Sequence, residues 1–436
     1  MVDREHGFLI AERLAPVYEQ VGGFPLFVVW QSGLGDTLIS SLRAIAQENI
    51  FKRLLARLIQ FTLAKARVSR DGERALQLEL SPLAAIDSQL GELVHEPYAQ
   101  LGGEYSQLTA HEEEQLLGTL QADTVIQDET ARILGGLRQD NQVDAWRAAG
   151  AEEATSTLMS AEVLQALAAD VGERADRSVI GTTRLAMAAI KALGRILTRL
   201  RNGRDHGLYC TVIEELLREF YLANVGGTLW RQMKRDTLDA FAGDPTRHGG
   251  SALLAEFAQH PQQQPPILVG HSTGGLYICN LIANVEPELP PQVVFDVLML
   301  APACDFDAMD RTLVRHGDRI RRLRIFAMSD ENERKDQLLV GVYPRSLLYL
   351  VSGLLENEAD WPLLGMQRFH ALSPPFTDES FPAIGRVRDE LAKRADCCVW
   401  SVASSTAGLC SQALHHGDFD DDPDTLASVA HLIAQR

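Results

Sequence analysis

The sequence predicts an α/β protein with a mostly parallel sheet, helices on both faces of that sheet, and a large helical insertion. Strand and helix patterns alternate through the C-terminal half of the 436 residues. The strand-like runs there are continuously apolar instead of alternating, which is typical of parallel strands covered on both faces. Between Asp36 and Asp244 the chain is rich in Leu, Ala, Glu, Gln and Arg, which favour helix.

Four apolar runs in the C-terminal half predict buried strands. They cover residues 267–269, 293–300, 323–328 and 397–402. The first run follows Pro265-Pro266, two prolines that end any preceding helix. It precedes an apolar segment with a helical pattern that begins at Gly275. Residues 306–320 have helical character and separate the second run from the third. This alternation predicts strands joined by crossover helices.

The N-terminal segment predicts one more helix and one more strand. Residues 11–20 have a helical pattern, Gly22-Gly23 ends it, and residues 24–30 form a β-rich run. We therefore assign residues 1–35 and 246–436 to an α/β core. Residues 36–245 are then a helical insertion that acts as a cap or lid over the core.

The charge balance argues against a nucleic-acid partner. Lys and Arg number 41 and Asp and Glu number 59, which gives a net charge of −18. Residues 49–70 and 184–204 are basic exceptions that contain no acid and place apolar residues at helical spacing. They suit either peripheral contact with anionic lipid or a cap folded against its own acidic stretches.

Targeting signals are not evident in the sequence. The first residues are acidic where a secretory signal would be basic, and the apolar runs are shorter than the ~18 residues of a membrane span. The six cysteines form no CxxC motif. We expect reduced thiols and a cytoplasmic protein.

The segment Gly270-His271-Ser272-Thr273-Gly274 matches the G-x-S-x-G pattern. A predicted buried strand precedes it and a predicted apolar helix follows it, which is the context of a nucleophile elbow. Small residues beside the serine let the chain turn sharply and present the Oγ atom. We predict that Ser272 is a nucleophile, which needs a base and a group to orient that base.

Candidates for the base and the acid follow later strands. Asp330 comes directly after the third strand, where sites on parallel sheets assemble, and is our predicted acid. Glu331, Glu333 and Asp305 are rivals, and Asp330 could instead cap the next helix. Two adjacent histidines, His415 and His416, follow the last predicted strand and are the candidates for the base.

We predict that His416 is the base. Gly417 follows it and gives the loop freedom to turn that ring inward, which favours it over His415. The spacing of the other histidines matches no HExxH or H-x-x-x-H metal motif, and we expect neither a metal nor another cofactor.

Together, Ser272, Asp330 and His416 in this order, with the GHSTGG elbow, resemble the α/β-hydrolase superfamily over residues 6–35 and 250–436. The insertion and the segments YPRSLLYLVSG and HHGDFDDD are similar to an uncharacterised bacterial group of α/β-hydrolase-like proteins. The resemblance implies an acyl-enzyme mechanism without a cofactor. It also implies that the N–H of Thr273 is one oxyanion donor.

The second oxyanion donor has two candidate positions. His6-Gly7 resembles the HG element of the superfamily, with the N–H of Gly7 or Phe8 as donor, but only five residues precede it. We therefore expect that upstream DNA encodes a further apolar strand. Alternatively, residues 24–30 adjoin the nucleophile strand and Gly33-Leu34-Gly35 supplies the donor.

The leading functional hypothesis is a serine hydrolase, similar to carboxylesterases and lipases, acting on a small acyl ester. One alternative is a related scaffold with weak catalysis that serves in binding or assembly. Another is a lipid hydrolase at a membrane surface.

Overall fold

The computed structural model describes most of the chain. The described residues are 4–29, 34–71, 105–147, 157–168, 177–222, 226–260, 264–286 and 288–435. Every structural statement below concerns these ranges.

The described strands form one parallel sheet of four strands. They are β1 (Ile267–His271), β2 (Phe295–Leu300), β3 (Ile320–Met328) and β4 (Cys398–Ser401). Their order across the sheet is their order along the chain, and each neighbouring pair is parallel. The four strands predicted in the C-terminal half are confirmed. The protein is therefore of the α/β class.

Helices occupy most of the remaining described chain. Before β1 they are α1 (Arg4–Glu19), α2 (Leu34–Ile45), α3 (Asn49–Asp71), α4 (Ala110–Ala122), α5 (Thr124–Arg147), α6 (Ala161–Ala168), α7 (Arg177–Arg201), α8 (Leu208–Phe220), α9 (Gly227–Asp239) and α10 (Gly249–Gln259). After β1 they are α11 (Gly274–Ala283), α12 (Phe306–His316), α13 (Asp330–Lys335), α14 (Leu347–Leu350), α15 (Pro382–Ala392) and α16 (Pro423–Ala434). Short 3₁₀ turns cover Gly317–Arg319, Gln367–Ala371 and Asp418–Asp420, and a π-helical turn covers Val351–Leu355.

Each face of the sheet has its own apolar core because side chains alternate between faces along a strand. Leu298 and Phe326 pack on one face with residues of α1 and α16, including Leu14 and Val429. Val297, Met299 and Ile325 belong to the larger core that also contains the helices between β1 and β4. Helices therefore cover both faces, as the continuously apolar strands predicted.

The described residues between 34 and 260 contain helices and no strand. Several of their basic side chains contact acids of the same region. Arg53 and Arg57 both donate to the buried carboxylate of Asp123, and Lys65 pairs with Glu112 at 2.5 Å. The basic stretch 49–70 is thus partly neutralised inside the protein. No described helix is long and apolar enough to cross a bilayer.

The predicted strand at residues 24–30 is wrong for its described part. Residues 24–29 pair with no described strand, and Trp30 lies outside the described residues. Phe24 is 95% exposed and Leu26 is 71% exposed. β-branched and aromatic residues favour a strand only when their side chains can pack against a neighbouring strand and a core.

Candidate active site

The turn between β1 and α11 places Ser272 at a sharp bend. Its φ is 55°, in the left-handed region that a non-glycine residue adopts at a cost. A Cβ on Gly270 would lie 2.6 Å from the carbonyl oxygen of Gly274, so the turn requires glycine there. The Ser272 N–H donates to Leu300 O at 2.8 Å, and its carbonyl accepts from the Ala303 N–H at 3.0 Å. These two hydrogen bonds hold the bend against the end of β2.

His416 lies against the serine. Its Nε2 is 3.0 Å from Ser272 Oγ, a hydrogen-bond distance. Both residues are buried, with Ser272 3% exposed and His416 6% exposed. The predicted catalytic residues are Ser272, Asp330 and His416. The structure brings Ser272 and His416 together.

The main chain of His416 is held on both sides. Its N–H donates to Asp336 Oδ2 at 3.3 Å. Its carbonyl oxygen accepts from His271 Nε2 at 2.9 Å, which requires the proton of His271 to sit on Nε2. The rings of His271 and His416 lie 5.4 Å apart and are inclined by 32°. These contacts orient the imidazole without touching its Nδ1 atom.

The surroundings keep the His416 ring neutral. Burial, together with the neighbouring His271, lowers the pKa of His416 well below its ordinary value. Burial also lowers the pKa of His271. A neutral imidazole with its Nε2 toward Ser272 Oγ is the form that can accept a proton.

Asp330 does not contact His416 in this structure. Its Oδ1 accepts a hydrogen bond from the Tyr349 hydroxyl at 2.7 Å, and its N–H donates to the side chain of Gln367 at 2.9 Å. The Nδ1 atom of His416 is buried and has no hydrogen-bond partner among the described residues. The serine and histidine form a pair, and the predicted acid lies apart from it.

The rival acids also bind elsewhere. Glu331 is exposed and pairs with Lys335. Glu333 is buried and accepts from the Ser346 hydroxyl, and burial raises the pKa of Glu333 well above its ordinary value. Asp305 caps α12. None of these three carboxylates hydrogen-bonds to His416 in the described structure.

Asp336 is the carboxylate that the sequence analysis missed. Besides the His416 N–H, it binds His415 Nδ1 at 2.7 Å. It follows α13 instead of β3, so the rule that site residues follow strands did not select it. His271 was missed as well because the G-x-S-x-G pattern gives its position no role.

The predicted oxyanion donors have different outcomes. Thr273 follows the nucleophile at the start of α11, where the N–H groups of the first turn have no helical acceptor. Gly7 and Phe8 lie in the first two turns of α1, so the structure places the HG element in a helix. Their role as oxyanion donors stays a prediction. Of the alternative segment Gly33-Leu34-Gly35, Gly33 lies outside the described residues, and Leu34 and Gly35 form the start of α2.

Comparisons with protein-family models, with curated proteins and with solved structures found no match to this chain.

Proposed function

We propose that the protein is a serine hydrolase that cleaves a carboxylic ester or a related acyl substrate through an acyl-enzyme on Ser272. The observation that carries this proposal is the 3.0 Å contact between His416 Nε2 and Ser272 Oγ at a left-handed strand-to-helix turn. A neutral histidine beside a serine hydroxyl is the arrangement that activates a weak nucleophile.

The proposed reaction has two halves. His416 accepts the Ser272 proton as Oγ attacks the substrate carbonyl, and it returns the proton to the leaving alcohol. The oxyanion forms at the N-terminus of α11, where the Thr273 N–H and the helix dipole favour negative charge. Water then gives a proton to His416 and attacks the acyl group, which releases the acid and restores Ser272.

We also infer an α/β-hydrolase fold and a cytoplasmic location. The fold is supported by the elbow after β1, by the sequential parallel strands, and by the position of His416 beyond β4. The location is supported by the cysteines, all six of which are free thiols.

Labelling with a fluorophosphonate tests the enzyme directly, because this probe bonds covalently to an activated serine. We expect the wild-type protein to be labelled and Ser272→Ala to be unlabelled. Ser352→Ala is the matched control, since Ser352 is a buried serine whose hydroxyl donates to Trp361 O, and it should label like the wild type. Absence of labelling in folded wild-type protein would contradict the proposal.

A second candidate is a related scaffold that binds a partner and hydrolyses slowly. One observation favours it: the buried Nδ1 of His416 has no hydrogen-bond partner among the described residues, so none of the described carboxylates is placed to stabilise the imidazolium that forms during the reaction. Fluorophosphonate labelling without measurable turnover of short-chain nitrophenyl esters would support this candidate.

A further inference from the structure

The base of a serine hydrolase needs a group that orients its imidazole, and in a triad this group is a carboxylate at Nδ1. In this protein the Nδ1 atom of His416 is buried and has no hydrogen-bond partner among the described residues. The ring nevertheless has a defined place, because its Nε2 lies 3.0 Å from Ser272 Oγ. The contacts that orient this ring therefore lie elsewhere.

The main chain around His416 is held by three side chains. Asp418 Oδ2 accepts from the His415 N–H at 2.8 Å. Asp336 Oδ2 accepts from the His416 N–H at 3.3 Å, and His271 Nε2 donates to the His416 carbonyl oxygen at 2.9 Å. The N–H and the carbonyl group of the base are thus both bound to side chains, which fixes the direction in which its Cα–Cβ bond points.

His271 restrains His416 in a second way as well. Its ring lies beside the imidazole, with 5.4 Å between the ring centroids and an inclination of 32°. A side chain that packs against a neighbouring ring has less freedom to rotate. Asp336, by contrast, hydrogen-bonds to the main chain of His416 and not to its ring. His271 therefore restrains both the main chain and the ring of the base.

The position of His271 in the chain adds to this effect. It is the last residue of β1 and directly precedes Ser272, so its contacts with His416 also fix the base relative to the nucleophile. A carbonyl oxygen only accepts, so the proton of the neutral His271 ring lies on Nε2. Burial lowers the pKa of His271, which keeps this ring neutral beside the imidazolium that forms on His416 during the proposed reaction.

We propose that His271 is a positioning residue for the Ser272–His416 pair, supplying the orientation that a carboxylate at Nδ1 supplies in a triad. The inference rests on the proposed hydrolase function. It gives a role to the residue before the serine in the G-x-S-x-G turn. That turn both presents the nucleophile and holds the base that activates it.

Steady-state kinetics of the full chain with a short-chain nitrophenyl ester test the proposal. His271→Met keeps a similar length but lacks both the N–H donor and the ring. We expect its kcat to fall about 100-fold with KM unchanged, as for a catalytic group displaced by about 1 Å. His271→Gln restores a donor and His271→Phe restores a ring, so each should lose only about tenfold. A loss of folded protein alone would produce neither the separation of kcat from KM nor this rescue.

His370→Met is the matched control. His370 also donates from Nε2 to a main-chain carbonyl, that of Leu364, at 2.8 Å, and it packs against the rings of Phe306 and Trp400. Its replacement removes the same kind of contact without touching the base, so kcat should change by less than about twofold. Equal losses of kcat in His370→Met and His271→Met would overturn the proposal, as would an unchanged kcat in folded His271→Met.

Nitrogen NMR of the histidine rings tests the positioning without turnover. We expect the His271 proton on Nε2, and broader ring signals of His416 in His271→Met than in the wild type because the imidazole turns between orientations. A His271 proton on Nδ1, or His416 signals that do not change, contradicts the proposal. A wild type that neither reacts with fluorophosphonate nor hydrolyses esters contradicts the proposed function instead, and NMR then decides the positioning alone. If His271→Met does not fold, His271→Gln and His271→Phe replace it in both measurements.

Discussion

Two buried histidines of this protein have opposite surroundings. His206 binds Glu214 through Nδ1 and Asp360 through Nε2, each at 2.8 Å. His416 has the Ser272 hydroxyl at Nε2 and no described partner at Nδ1. Carboxylates only accept hydrogen bonds when ionised, so both nitrogens of His206 must carry protons. His206 is thus a donor at both ring nitrogens, whereas His416 is an acceptor at Nε2.

The difference shows that burial alone does not decide what a histidine does. Burial by itself would raise the pKa of Glu214, but His206 and Arg199 lower it to about 2. Arg368 and His206 likewise lower the pKa of Asp360 against the effect of burial. The charges around His206 hold α8 against the loop that contains Asp360. Among the described residues no carboxylate hydrogen-bonds to the ring of His416, which leaves its Nε2 atom to exchange a proton with Ser272.

The largest effect that this comparison predicts is on turnover in His416→Ala. Loss of the proton acceptor leaves Ser272 a neutral alcohol, and we expect ester hydrolysis to fall by about 10⁴-fold with the melting temperature almost unchanged. His415→Ala is the control and should retain most activity, since the His415 side chain is exposed and binds Asp336 instead of Ser272. Equal losses in both variants would remove His416 from its role as base.

The next effect is on stability in His206→Gln. Glutamine has no charge, so Glu214 and Asp360 would be left buried without the positive charge that they share. We expect the free energy of unfolding, measured in urea, to fall by about 3 kcal/mol. His416→Gln is the matched buried substitution and should change the free energy of unfolding by less than about 1 kcal/mol. A stable His206→Gln protein would show that Arg199 and Arg368 suffice to balance the two carboxylates.

The smallest effect concerns the orientation of His416. Asparagine at position 336 keeps only one acceptor oxygen for the His416 N–H and the His415 ring, so we expect Asp336→Asn to lower kcat about tenfold with KM unchanged. Asp330→Asn keeps an oxygen for the Tyr349 hydroxyl and should change kcat less than about twofold. Steady-state kinetics with one ester substrate decide between them. The opposite ranking would return the role of the acid to Asp330.

Local sequence patterns were sufficient to predict the four strands of the sheet and the bend at Ser272. Continuously apolar runs predicted β1 to β4 because both faces of those strands are covered, and the small residues around Ser272 predicted its bend. The position of Asp330 at the carboxyl end of β3 was also predicted correctly. The direction of its carboxylate was not, because Tyr349 and Gln367, which hold it, come from segments distant in sequence.

The N-terminal segment shows the same limit. Residues 24–30 have strand-forming side chains, but local preference cannot supply a neighbouring strand. The sequence did not predict the role of His206, because its partners Glu214 and Asp360 come together only when the insertion packs against the C-terminal region. The pairing of Ser272 with His416 was predicted because each follows a strand of the same parallel sheet. The partners of Asp330 and His206 were not predicted, because no local pattern marks the segments that supply them.

The order of the strands also has a consequence for when the reactive pair can form during synthesis. Each new strand joins the edge left by the one before it, so the sheet can grow in the direction in which the ribosome releases the chain. Ser272 emerges with the first of these strands, but His416 follows the last and lies 144 positions later. A nascent chain that presents only β1 to β3 already has the serine but has no base beside it. Under the proposed mechanism, the protein is therefore inert toward acyl groups until its sheet is complete.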